Sequence, residues 1–167
     1  MKRFCLFSIM LALTASWQEE VAEKPAPLAL SEEAVDQLCQ MNVLEHDRPK
    51  AQVFLAGLDH PIWFTSVRDM LTFRKLPSET GDIQIAYVSD TAAGDSCRDS
   101  DPAAWVEAEN AFLVIGFVRL GGMGVTEAVP FAEKSNAEAF VKRLGGEVAM
   151  IGEIGEDWLF PEMGPTS

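Results

Sequence analysis

One order of elements occurs twice in this chain, and it restricts the fold more than any other feature: strand, strand, helix, strand. Residues 51–56 (AQVFLA) read as a strand, 57–60 (GLDH) as a turn, and 61–66 (PIWFTS) as a second strand, so the pair forms a hairpin. Ser66 is placed to cap a helix over residues 67–76, whose apolar positions Val67, Met70 and Leu71 recur at helical spacing. Pro77 stops that helix and Gly81 turns the chain into a third strand, 83–88 (IQIAYV), with Ile83, Ile85 and Tyr87 on one face. The order then repeats. Residues 111–118 (AFLVIGFV) are strand-like, 119–126 (RLGGMGVT) form a glycine-rich turn, and 127–131 (EAVPF) form the returning strand. Ser135 is placed to cap a helix over 136–144, with Glu138 three residues on in the manner of a capping box; Gly145 and Gly146 end it, and 147–154 (EVAMIGEI) is the last strand.

The pattern predicts an α+β fold. Each copy has about 40 residues, near the size at which a lone core is marginal, so the two pack together or share one sheet. A single α+β domain whose halves agree by chance satisfies the same pattern. Residues 89–110 are polar and turn-rich and read as a connector.

The beginning of the chain reads as an address rather than a fold. Lys2 and Arg3 precede an apolar run, 4–15, which is shorter than the roughly 20 residues a membrane span needs. It has the length of a signal-peptide core, with Thr14 and Ser16 as small residues before Trp17. Residues 1–16 are therefore expected to export the chain, with a retained anchor as the alternative. Residues 17–30 (WQEEVAEKPAPLAL) show no periodic apolar face and read as the start of a tether. The organisation expected is a signal peptide (1–16), a tether (17–38), a first half (39–95) and a second half (96–167).

Charge and motifs exclude several functions. With 13 basic against 26 acidic residues the net charge is −13, which opposes nucleic acid and anionic lipid alike. No strand–Gly-rich loop–helix cradle ends in Lys-Ser/Thr, no G-x-S-x-G elbow is present, and the three cysteines include no Cys-x-x-Cys pair. Catalysis of hydrolysis or electron transfer has little to stand on.

What remains is a group of soft donors. Cys39 and Met41 are two residues apart, and in an extended segment their side chains would point the same way. A thiolate and a thioether together favour copper(I) over hard ions. A buried cysteine beside a core methionine satisfies the same spacing. His46 follows five residues later. Met123 lies between glycines at a hairpin tip, where it has no core to fill; a ligand role and a side chain folded back on the hairpin both fit.

Three blocks, CQMNVLEHDRPKAQVFL, HPIWFTSVRDMLTFRKLP and GGMGVTEAVPF, resemble the NosL family, accessory lipoproteins of nitrous oxide reductase. They occur in the family's order and near its spacing, from about Cys39 to Ile154. The resemblance implies two small ββαβ halves and an exported copper(I) metallochaperone, not an enzyme. It also implies periplasmic work on the copper centres of nitrous oxide reductase, beside a periplasmic protein attached to an ABC transporter, with no small-molecule substrate. The family's motif is Cys-Gly-Met, then Asp/Glu-His, then Gly-Gly-Met-Gly. Carried over, it makes Cys39 and Met41 the first two ligands, Met123 the third, brought from the second half, and His46 the match to the family's histidine.

Two departures stand out. Gln40 replaces the glycine between cysteine and methionine, and strains the loop if that position needs a positive φ. Trp17 stands where a lipid-modified cysteine is usual in the family, so thioether lipidation there is impossible as written; either the mature chain is soluble, or an uncleaved segment anchors it, or Trp17 is a substitution for cysteine. Two rivals carry different chemistry. One is a metal-free periplasmic interaction module with a Cys39–Cys97 disulfide. The other is a zinc hydrolase using His46, His60 and nearby carboxylates.

Overall fold

A computed structural model describes residues 24–47, 49–76, 81–93, 104–117 and 127–160. The expected signal peptide, Trp17, Cys97 and the whole GGMG turn with Met123 lie outside these residues.

Two antiparallel sheets share one wiring. In the first half β1 (Ala51–Leu55) runs into β2 (Ile62–Phe64), then α1 (Val67–Phe73), then β3 (Ile83–Ser89). In the second, β5 (Phe112–Ile115) leads to β6 (Val129–Phe131), α2 (Lys134–Leu144) and β7 (Glu147–Ala149). The sheet orders are β2-β1-β3-β4, where β4 is Trp105–Glu107, and β6-β5-β7. In each half the first strand is central, the second pairs on one side, and the strand after the helix pairs on the other. The fold is α+β, built from two ββαβ units as the repeat predicts.

The stretch expected as a connector adds something the pattern does not show. Its residues Trp105–Glu107 form β4, which pairs with β3 from Tyr87↔Glu107 to Ser89↔Trp105. Three residues are too few to display alternation, so such a strand is set by its partner rather than by its own sequence.

The halves share a core. Ala51, Val53, Phe64, Ala86 and Val88 on the inner face of the first sheet join Val67, Met70, Leu71 and Phe73 of α1. The same cluster takes in Leu113, Ile115, Ala149, Ile151 and Leu159 from the second half. β5 explains the arrangement by its period of two. Leu113 and Ile115 face the shared core, while Val114 faces a second cluster with Phe117, Val129, Phe131 and Ala137, against which Phe112 and Phe140 pack. Polar ties reinforce the junction: Asp90 accepts from the Ala132 N–H at 3.3 Å, and Arg68 donates to the Leu159 carbonyl while stacking over Trp158 at 5.0 Å. Trp158 and Leu159 belong to a one-turn helix, α3 (Glu156–Leu159).

The helix caps divide. Ser66 caps α1 as expected, its hydroxyl accepting from the Asp69 N–H at 3.0 Å. Ser135 does not cap α2. That helix starts two positions earlier than expected, at Lys134, with Glu133 as N-cap and no side-chain cap bond. At the other end, Gly146 has φ +92°, and a Cβ there would collide with the Ile115 carbonyl and touch Phe117. Only glycine lets β7 approach β5 this closely.

The tether reading fails from Lys24 onward. The buried Gln52 amide reads the backbone of Leu28 as a strand would, accepting from its N–H at 2.9 Å and donating to its carbonyl at 3.0 Å. Tyr87 donates its hydroxyl to the Pro25 carbonyl at 2.8 Å. Leu30 and Ala34 then pack with Val43 against Leu44 and Trp63. These residues have no periodic face because side chains of the first sheet, not their own apolar groups, hold part of the segment.

Candidate metal centre

Cys39 and Met41 sit on a tight turn docked against the edge of the first sheet. The turn is closed by backbone bonds: Val43 N–H to the Ala34 carbonyl at 2.9 Å, Asp36 N–H to the Met41 carbonyl at 2.9 Å, and Gln40 N–H to the Asp36 carbonyl at 3.0 Å. It is attached to β2 by a bond from the Gln37 N–H to the Trp63 carbonyl at 3.0 Å. Residues 39–41 are therefore not extended. Gln40 has φ +60°, the only positive φ on a non-glycine among the described residues. A single helical turn that ends in a left-handed residue prefers glycine there, since a Cβ crowds the following carbonyl. The glycine that the resemblance implies at this position would have that physical reason. Gln40 compensates through its side chain, whose amide donates to the Asp36 carbonyl at 3.2 Å and the Gln37 carbonyl at 3.0 Å.

Asp36 organises the turn, and nothing in the reading of the sequence singled it out. Its side chain is fully buried. One carboxylate oxygen accepts from the N–H groups of Leu38 at 2.7 Å and Cys39 at 2.9 Å; the other accepts from the Thr65 N–H at 2.5 Å. Burial pushes the carboxyl up, but the donors on Thr65, Cys39 and Leu38 outweigh it and hold Asp36 below the ordinary value of 3.8. The signal was present as an aspartate two and three residues before the N–H groups it caps, an arrangement that recurs in turns and at helix starts.

The donors themselves are accessible. Cys39 is a free, exposed thiol, and Met41 is 46 % exposed, with Leu38 beside it at 40 %. Neither sulfur is a core group, so the packing alternative for this pair does not hold. His46 follows a 3-10 turn, Val43–Glu45, capped by the Asn42 side chain, which also donates to the Glu32 carbonyl at 2.7 Å. The fully buried Lys50 donates its ammonium to the His46 carbonyl, which fixes the backbone that carries the imidazole. Cys39, Met41 and His46 fall within one short stretch of the sequence; Met123 lies outside the described residues.

His60 lies elsewhere, in an exposed turn, with its Nδ1 2.8 Å from Asp59. Its ring holds the Asp59 carboxyl below the ordinary range. Among the described residues no three side chains of His, Cys, Asp or Glu converge as a metal cluster, which leaves the zinc reading without a centre there. Nor is any helix of the described residues long and apolar enough to cross a membrane.

The chain is similar to known proteins in both sequence and fold. A family model described as NosL matches residues 27–159. The copper-binding lipoprotein NosL of Achromobacter cycloclastes is 40% identical over 153 residues, which span 91% of this chain and 79% of that one. The crystal structure of the copper chaperone NosL from Shewanella denitrificans superposes with a TM-score of 0.69 at 26% identity, over 80% of this chain and 97% of the other. The solution structure of apo-NosL from Achromobacter cycloclastes gives a TM-score of 0.51 at 36% identity, over 70% and 94% of the two chains.

Proposed function

Because the chain belongs to the NosL family, we propose that this copper chaperone carries its cargo as copper(I) on Cys39, Met41 and Met123 and delivers it for maturation of the copper centres of nitrous oxide reductase. It is a carrier, not an enzyme. The observation that carries the reading is the pair of exposed sulfur-bearing residues, Cys39 and Met41, on either side of the left-handed residue Gln40. Soft donors of this kind suit copper(I), which accepts two or three ligands. The first half (39–95) supplies Cys39 and Met41, the second (96–167) supplies Met123, and His46 adds a borderline donor from the clamped segment that follows.

A carrier must exclude free ion yet release it to a partner. Thiolate and thioether ligands do so by stepwise exchange, each sulfur yielding to a donor of the acceptor. The thiolate is the binding form of Cys39, so affinity falls as pH falls. Residues 1–16 act as an export signal, and delivery takes place in the periplasm, to a protein attached to an ABC transporter.

Copper(I) competition against a chromogenic chelator tests the reading. The expected result is one ion per wild-type chain and a loss of affinity of at least about 100-fold for Cys39→Ser, with smaller losses for Met41→Leu, Met123→Leu and His46→Ala. Unchanged binding by Cys39→Ser and Met123→Leu would remove the ligand set.

A further inference from the structure

We propose that Asp36 is the positioning residue of the copper site: its buried carboxylate ties the turn that carries Cys39 to the junction of β2 and α1, and so sets how readily copper leaves. The inference rests on the reading of Cys39 and Met41 as ligands. Asp36 donates nothing to the metal, since its oxygens are occupied by three backbone N–H groups and its side chain is fully buried.

The argument is geometric. Cys39 is exposed, and an exposed four-residue turn has few packing contacts to fix it. Here the fixing comes from below. One Asp36 oxygen takes the Leu38 and Cys39 N–H groups, which sets the backbone from which the thiolate projects. The other takes the N–H of Thr65, 29 residues away, directly before the helix cap Ser66. The turn is thereby joined to the shared core, where Phe64, Val67 and Met70 are fully buried. Gln40 closes the same turn from the other end by donating to the Asp36 and Gln37 carbonyls. A donor pair held in one arrangement before the metal arrives loses less freedom on binding and opens less often afterwards.

The test compares Asp36→Asn with Gln52→Ala. The second removes a buried pair of hydrogen bonds in the same sheet but on the Leu28 segment. Copper(I) affinity and the rate of copper loss to a chromogenic chelator are measured for both, beside wild type and Cys39→Ser. Asp36→Asn is expected to weaken binding at least about tenfold and to speed copper loss, while Gln52→Ala leaves both within about twofold of wild type. An Asp36→Asn variant that holds and releases copper like Gln52→Ala would overturn the positioning role while leaving the ligands in place. Wild-type affinity in Cys39→Ser would instead sink the ligand assignment, and this inference with it. Should Asp36→Asn not fold, amide hydrogen exchange on the wild type decides. The Leu38, Cys39 and Thr65 amides are expected to be protected without copper, and exchange at open-chain rates would overturn the proposal.

Discussion

The side-chain amide of Gln40 donates to the backbone carbonyl of Asp36, 3.2 Å away, and so ties Gln40 back to the residue four positions before it. Gln40 adopts φ +60°, a conformation that costs a residue with a Cβ about 1 kcal/mol relative to glycine. Its two amide bonds offset a similar amount. Gln40→Gly is therefore expected to change stability by less than about 1 kcal/mol, since it relieves strain, loses the bonds and loosens the unfolded chain. Gln40→Ala keeps the strain and loses both bonds, and should fall below both by about 1 kcal/mol. Urea unfolding of the three proteins gives the order; Ala equal to Gly would contradict it.

Acid should loosen the Asp36 turn. The folded-state pKa of Asp36 lies below 3.8, its ordinary value, so its contribution to stability is complete above that pH. The contribution is lost as pH falls through the folded-state value. Wild type is expected to lose more stability between pH 7 and pH 3 than Asp36→Asn, which has no charge there to lose. At pH 7 the variant should already be weaker by roughly 2 kcal/mol. Parallel acid losses in the two proteins would show that Asp36 is not responsible.

Gly146→Ala should be among the costliest single methyl additions in the second half. The backbone is left-handed there, and the new Cβ meets the Ile115 carbonyl in the neighbouring strand. A loss of about 2 kcal/mol or more is expected, read as a lower midpoint in thermal or urea unfolding. Gly57→Ala makes the comparison: its φ is +84° but nothing lies within 4 Å of the added atom, so it should lose about 1 kcal/mol.

The net charge of −13 should govern how the loaded protein meets an acceptor. If the acceptor presents a basic surface, copper transfer quickens at low salt and slows several-fold as ionic strength rises through the range where the Debye length falls to about 10 Å. Stopped-flow transfer rates at a series of salt concentrations measure this. A flat profile would remove charge from the encounter.

Local order was legible wherever it is local. The ββαβ wiring follows from apolar runs bounded by glycine and proline, and the Ser66 cap from a hydroxyl three residues before its donor. Cys39 and Met41 drew notice because soft donors two residues apart stand out. What escaped the sequence depends on distant partners. Thr65 lies 29 residues from the carboxylate it donates to, Gln52 lies 24 from Leu28, and Tyr87 lies 62 from Pro25. Ser135 looked like a cap, but α2 begins at Lys134 with Glu133 as its N-cap. Residue β4 pairing at Trp105–Glu107 is likewise imposed by β3 and leaves no pattern of its own.

The cluster that joins Val53, Phe64 and Phe73 to Leu113, Ile115 and Leu159 has a consequence for how this molecule can be taken apart. Duplicated wiring invites cutting the polypeptide at its midpoint and expressing the pieces as modules. Either fragment alone would present the raw apolar wall that its sibling normally hides. The pair should be recoverable only by co-expression, as two complementing chains that fold around one another.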